Sequence, residues 1–388
     1  MIVKLSNALL RGWKLQRRAD YSTARDVLFK VLAVILALLI TGIVLGASGQ
    51  SALAMGKRVL ESTLGSDYGL QQWLMLATPL MITGAALLLG TRMAAFNFGL
   101  EGQLFIGAWA AAGIGLHLNA PPWLALILMF VGGALAGALL ALVPALMRIK
   151  AGISEILTTL LFNFVAMQFT LYFAMDAWRD WGTAVNLGAT TPIPYNLPAL
   201  WGHLHIGILI AVFIVVAIFL ALEGTVWGYE VTSIGASRSA AAFAGIAVTR
   251  HMLIIMLLSG AVAGVSGVIE LTGVAHRLSA AVSAGYGWTG INVAILAGSS
   301  PLAVIPWALF LALILNSGFV LQAQGFSVNV VLAVTGLILL LVSVGEVVAN
   351  YSLVRVSRLA PAAGLEVGPG EAPAPPRTAA QDSSSDPD

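Results

Sequence analysis

Long apolar runs separated by brief polar stretches make up most of this chain. The clear ones fall at residues 31–47, 71–90, 104–116, 123–146, 153–173, 205–222, 252–273 and 328–348. Runs of this kind, taken with their flanks, are long enough to cross roughly 30 Å of hydrocarbon as helices. Within lipid every backbone N–H and C=O must be satisfied inside its own segment, which favours helix over open sheet. The pattern therefore predicts an all-α, polytopic membrane helical bundle. Two further apolar pieces, 291–297 and 302–315, flank Gly298-Ser299-Ser300-Pro301 and are short for spans. They predict either a re-entrant hairpin or two tilted helices, giving eight or ten transmembrane helices.

The charges outside the runs set the organisation. Ahead of the first run stand Lys4, Arg11, Lys14, Arg17, Arg18, Arg25 and Lys30, against Asp20 and Asp26. Lys and Arg accumulate on cytoplasmic flanks, so residues 1–30 read as a cytoplasmic basic segment. Arg148 and Lys150, then Arg355 and Arg358, mark the same side further on, placing both ends inside and making the number of crossings even. A cleavable signal peptide is the rival reading of the first run, since Ala52-Leu53-Ala54 resembles a cleavage site, but the polar region before it is too long. Residues 31–348 read as one transmembrane region, with 223–251 as its longest cytoplasmic interruption. Residues 349–388 read as a disordered cytoplasmic tail, rich in Pro, Ala, Ser and Asp beyond Ala360.

Composition sharpens this picture. The chain is 59% hydrophobic and 9% charged with mean hydropathy +0.94, whereas soluble domains carry about 25% charged residues. Gly133 to Gly137 and Gly260 to Gly264 are small-xxx-small patterns inside apolar runs, the spelling of close helix packing. There is no cysteine, which removes disulfides, thiolate metal sites and thiol nucleophiles. The histidines are scattered, and no catalytic triad or metal-ligand spacing is visible. Residues 51–58 miss the phosphate-binding loop, with Ser51 in place of its first glycine and Arg58 in place of Ser or Thr. An enzyme is not encoded, no cofactor is expected on this chain, and any ATP used must bind another subunit.

Three polar interruptions carry the candidate chemistry. In the first, Phe96-Asn97-Phe98-Gly99-Leu100-Glu101-Gly102-Gln103 follows Arg92 with hardly any soluble loop, which predicts broken backbone enclosed by protein. A short cytoplasmic turn is the alternative. In the second, Glu155, Thr159 and Asn163 recur at i, i+4, i+8 and form a polar stripe that should face the bundle interior, either lining a pathway or joining helices by hydrogen bonds. In the third, Ser237 is a helix N-cap, residues 238–244 a short Ala-rich helix, and Gly245 its stop. Ala240, Phe243 and Ala244 share one apolar face suited to a groove on a soluble partner. Arg238 in its first turn opposes the helix dipole, so the helix needs a partner.

The spelling of these interruptions resembles the permease subunits of bacterial nucleoside and simple-sugar ABC importers, within the branched-chain amino acid/ribose/nucleoside permease superfamily. Those proteins carry F-N-[IV]-G-x-E-G-Q, matched by Phe96, Asn97, Gly99, Glu101, Gly102 and Gln103, with Phe98 departing. Their coupling segment, G-x-N-x-x-A-A-x-x-A-G-I, is matched by Gly235, Ala240, Ala241, Ala244, Gly245 and Ile246, with Ser237 in place of Asn. An N-E-type segment is matched at Glu155 and Asn163, with Ser154 in place of Asn. The resemblance covers residues 28–348.

What the resemblance implies is a bacterial inner-membrane permease working by alternating access. Its expected partners are a cytoplasmic ABC ATPase docked on Gly235, Ser237, Ala240, Ala241, Phe243, Ala244 and Gly245, a second permease in a heterodimer, and an external substrate-binding lipoprotein. Membrane lipid surrounds it, and no nucleic acid is involved. Expected pathway residues are Asn97, Glu101, Glu155, Asn163 and Asn292, with Phe96 and Trp288 able to stack on a base. Nucleosides fit best, judging by the basic N-terminal extension and the wording around Phe96 and Gly152. Simple sugars such as ribose or galactose are the runner-up. A lone ion-coupled transporter using Glu101 or Glu155 as proton carrier is the reading from another class.

Overall fold

The computed structural model describes residues 13–17, 23–47, 51–182, 188–323, 325–327 and 351–355, with scattered helical positions between 329 and 348. About half of the last expected span, 328–348, lies outside the described residues, as does all of the tail from residue 356 on.

Two units are present, residues 1–21 with 350–388 and residues 22–349. In the first, strand β1 (Trp13–Arg17) pairs antiparallel with the last strand, Tyr351–Arg355, bringing Trp13 opposite Arg355 and Arg17 opposite Tyr351. The beginning of the expected disordered tail is thus ordered by pairing with the basic N-terminal segment.

The second unit is helical. It opens with α1 (Thr23–Ala47), which begins eight residues ahead of the first apolar run because Thr23 to Lys30 continues the same helix. The amphipathic α2 (Ala52–Leu64) follows, capped by Ser51. Then come α3 (Asp67–Arg92), α4 (Leu100–His117), α5 (Pro122–Ala151) and α6 (Glu155–Tyr172). A π-turn at Phe173–Ala177 extends α6, and the short strands β2 (Ala199–Trp201) and β3 (Leu204–His205) close the connection to the next helix. Next are α7 (Gly207–Glu223), α8 (Val226–Ala236), α9 (Arg238–Phe243) and α10 (Val248–Glu270), the last prolonged by a π-turn at Leu271–Ala275. Finally α11 (Tyr286–Ala297) and α12 (Val304–Ala323) precede the strand Tyr351–Arg355, here β4.

Among the described residues six helical segments are long and apolar enough to cross a membrane, or seven if α7 and α8, bent by 74°, count as one. The two short pieces around Gly298 prove to be separate helical segments, 280–297 and 301–323, each apolar enough to cross. The second outlasts the run 302–315 because Asn316, Ser317 and Gln322 continue α12 as polar residues.

The core is built around α3, whose apolar stretch is 89% buried. Helix α3 has α7, α10, α11 and α12 packed against it, so its apolar sides meet protein rather than lipid. By contrast α5 is only 22% buried, leaving Leu135, Leu139 and Val143 exposed for lipid or another subunit.

The two small-residue patterns meet each other. A Cβ at Gly260 would lie 2.5 Å from the carbonyl oxygen of Gly137, and one at Gly264 would lie 2.3 Å from that of Gly133. Both obstacles are backbone and cannot rotate away. Helices α5 and α10 therefore touch main chain to main chain, as the sequence spacing predicts. Gly264→Val must push these helices apart. We expect it to cost upwards of about 1–3 kcal/mol, the usual penalty of overpacking, read as a lower melting temperature in detergent; an unchanged melt would show that the helices do not touch there.

Candidate transport pathway and coupling surface

The broken backbone expected between the runs 71–90 and 104–116 is present. Helix α3 ends at Arg92, Ala94 takes the left-handed conformation at φ 53°, and residues 95–99 cross the protein interior without regular secondary structure. A non-helical segment in a membrane bundle has backbone groups without helical partners, and side chains supply them. Phe98 donates its N–H to Thr159 Oγ1 at 3.1 Å, and its carbonyl accepts from Asn163 Nδ2 at 2.8 Å. Asn163 Oδ1 in turn accepts from Gly102 N at 2.8 Å, capping α4 from a different helix.

Asn97 is fully buried and works from inside the break. Its Nδ2 donates to Gln103 Oε1 and Ser259 Oγ, each at 2.9 Å, while its Oδ1 accepts from Gly99 N and Gln103 Nε2, each at 3.0 Å. The Ser259 hydroxyl in turn donates to the carbonyl of Ala86 at 2.7 Å, tying α10 to α3. Phe96 lies beside this network, stacked on Phe98 with centroids 6.1 Å apart.

The polar stripe of α6 does face inward, since Glu155, Thr159 and Asn163 are all buried. Its residues differ in what they do. Asn163 and Thr159 hold the break, while Glu155, at the first turn of α6, forms an ion pair with Arg148 at 3.1 Å. Glu101 projects from the first turn of α4 to the start of α11, where its Oε2 accepts from Gly287 N at 2.7 Å. A carboxylate there complements the positive end of the helix dipole. The structure thus gathers Asn97, Glu101, Gln103 and Asn163 around one break, with Asn292 and Trp288 on α11, half-buried and 39% exposed respectively.

A cavity of about 500 Å³ lies between α3, α10, α11 and α12. Tyr68, Gln72, Glu270, Tyr286, Asn316 and Phe319 line it, and none of the pathway residues expected from sequence does. Glu270 is the single acid of the run 252–273, and this sparseness is the signal that points to it.

The coupling segment folds as its sequence predicts. Ser237 Oγ accepts from Ala240 N at 3.3 Å, α9 runs from Arg238 to Phe243, and Gly245 stops it at φ 84°. Phe243 is 98% exposed, with Ala240 and Ala244 exposed beside it, whereas Ala241 is buried. Of the expected docking residues, Ala241 therefore packs inward and holds the segment in place. Three contacts tie the ends of α7, α8 and α9 to the end of α3. A Cβ at Gly235 would meet the Arg92 carbonyl at 2.1 Å, Arg238 donates to the Ala94 carbonyl at 3.0 Å, and Arg92 is ion-paired with Glu223. Arg238, unfavourable for its own helix dipole, finds its acceptor at the break.

His205 precedes α7 and is 2% exposed, accepting from Gly207 N on Nδ1 at 3.1 Å while Nε2 has no hydrogen-bond partner among the described residues. Burial, and secondarily the nearby His276, push its pKa down to about 4 from 6.5. An unfolded chain then binds the proton first as pH falls, so this histidine's contribution to stability is intact above about pH 6.5 and lost toward pH 4. Melting temperatures of the wild type should fall across that window more steeply than those of His205→Gln. Parallel curves would remove His205 as the cause.

A family model described as branched-chain amino acid transport system / permease component matches residues 69–343, and the chain belongs to that family. The glucose ABC transporter permease of Haloferax volcanii is 33% identical over 83% of this chain and 88% of its own length. The guanosine ABC transporter permease NupP of Bacillus subtilis is 26% identical, over 72% of this chain and 82% of its own. The nucleoside permease NupB of Lactococcus lactis is likewise 26% identical, over 82% and 91%. No solved structure matches. The chain is thus a multi-pass permease component of the sugar and nucleoside ABC importers.

Proposed function

We propose that this chain forms the inner-membrane pathway for nucleosides in an importer driven by a separate cytoplasmic ATPase. The observation that carries the reading is the exposed face of α9 joined through Arg238 to Ala94, because it links a docking surface to the break in the pathway. Closure of the ATPase pushes on Phe243 and Ala244. The push passes through Gly235 and Arg238 to residues 92–99, and the bundle rocks against a second permease between outward and inward states. Solute arrives from an external binding lipoprotein. Both ends of the chain are cytoplasmic in this scheme, and the pairing of the two flanks with each other supports an even number of crossings.

Relatives named for guanosine and nucleosides support the nucleoside reading, while the glucose permease favours simple sugars as the second. Uptake of labelled guanosine by cells expressing the chain with its operon neighbours separates them. Competition by uridine but not by glucose, ribose or galactose is the expected result. Saturable glucose or ribose uptake without guanosine uptake would move the chain to the sugar branch.

A further inference from the structure

The cavity between α3, α10, α11 and α12 contains a carboxylate whose environment is unusual for a membrane bundle. Glu270 is 3% exposed, and its Oε1 has no hydrogen-bond partner among the described residues. An ionisable side chain inside a membrane costs about 2.5–3.5 kcal/mol on insertion scales and is normally paired or set on a solute route. Glu101 and Glu155 follow the first half of that rule, with Gly287 N and Arg148 as partners. Glu270 follows the second, since it stands on the cavity wall. The helix also changes form beside it, with a π-turn at Leu271–Ala275 and His276 left-handed at φ 53°. Such turns are frequent at functional sites.

The other polar groups define the ligand. Gln72 Nε2 already donates to Tyr68 Oη at 2.9 Å, and Asn316 Nδ2 to Thr63 Oγ1 at 2.8 Å. Their amide oxygens and the Glu270 carboxylate make the wall rich in acceptors. A solute rich in hydroxyl donors complements it, and Tyr68, Tyr286 and Phe319 supply apolar surface for the C–H face of a ring. The volume of about 500 Å³ lies within the usual 300–1,000 Å³ of small-molecule sites.

We infer that this cavity is a solute subsite of the permease itself, in which Glu270 accepts hydrogen bonds from the vicinal hydroxyls of a furanose or pyranose ring. The inference rests on the permease reading and deepens it. It gives the pathway a chemical filter for polyhydroxylated rings independent of any binding protein, and the same filter serves a nucleoside and a simple sugar.

The absence of cysteine makes the subsite testable in the intact complex. Val274 lines the cavity, so Val274→Cys in the permease–ATPase complex in nanodiscs offers this chain's single thiol to N-ethylmaleimide. Guanosine or glucose at about ten times its dissociation constant should slow labelling by about tenfold. The analogue 2′,3′-dideoxyguanosine, which lacks the diol, should not protect. Adding Glu270→Gln should weaken protection by about tenfold, as expected when the hydrogen bonds of one buried side chain are lost. If Glu270→Gln fails to assemble, the comparison of guanosine with its dideoxy analogue on the Glu270 chain still decides. Equal protection by both nucleosides with no protection by glucose overturns the inference, as does absence of protection by guanosine and glucose alike in a complex that imports either of them. Diol-dependent protection in a complex that imports neither supports the subsite and contradicts the permease reading.

Discussion

Phe243→Asp combined with Ala244→Asp should release the ATPase from this permease and reduce solute uptake to background. Truncating an aromatic anchor at an interface commonly costs 2 kcal/mol or more, about a 30-fold loss of affinity, and two carboxylates buried against an apolar groove add to that. Nothing within the permease opposes the change, because Phe243 is 98% exposed. The melting temperature of the isolated permease should therefore be unaltered. Ala241→Asp makes the informative contrast, since Ala241 is buried at 4% exposure and its replacement should lower the melt as well. A double variant that still co-purifies with the ATPase would remove α9 as the docking element.

Asn163→Ala should be the most damaging single change at the break. It strands the Gly102 N–H and the Phe98 carbonyl together, both inside the bundle. A buried backbone group left unsatisfied costs about 1–3 kcal/mol, so the pair costs roughly 2–6 kcal/mol, a large part of the stability of most proteins. Uptake should fall with it, because the break loses its fixed shape. Asn163→Asp keeps the acceptor for Gly102 but loses the donor to Phe98, and should retain more of the melting temperature than Asn163→Ala. Equal melts for Asn163→Ala and wild type would mean that this side chain does not hold the break.

These two sites mark how far the sequence could be read. The α9 helix was legible because its determinants are local: Ser237 caps, Gly245 terminates, and Phe243 and Ala244 fall on one face whatever the rest of the chain does. The break at residues 93–99 was legible as an interruption, since Asn97, Gly99, Glu101 and Gly102 cannot sit in lipid without partners. Which partners they have was not legible. Thr159 and Asn163 lie some 60 positions further along, and only the packing of α6 on α4 brings them to Phe98 and Gly102. The polar stripe of α6 was predicted to face inward and does, yet Glu155 reaches Arg148 because the two flank the turn between α5 and α6. Glu270 stood out least. A single acid at the end of an apolar run looks like a boundary marker, and its value as a cavity residue depends on α12 placing Asn316 and Phe319 nearby.

The same geometry bears on the ion-coupled alternative. Glu155 is ion-paired and Glu101 is bonded to the start of α11, so each already has a structural partner that proton carriage would require it to leave. The α9 surface has no purpose in a transporter working alone.

The central claim is that ATP hydrolysis by a separate subunit drives solute through this chain. Uptake of labelled guanosine, and in parallel of glucose, into proteoliposomes holding this permease with its partner subunits and binding protein tests it most directly. Uptake that requires ATP, persists when an uncoupler collapses the proton gradient, and disappears with Phe243→Asp and Ala244→Asp is the predicted result. Uptake that needs no ATP and stops with the uncoupler would contradict the account.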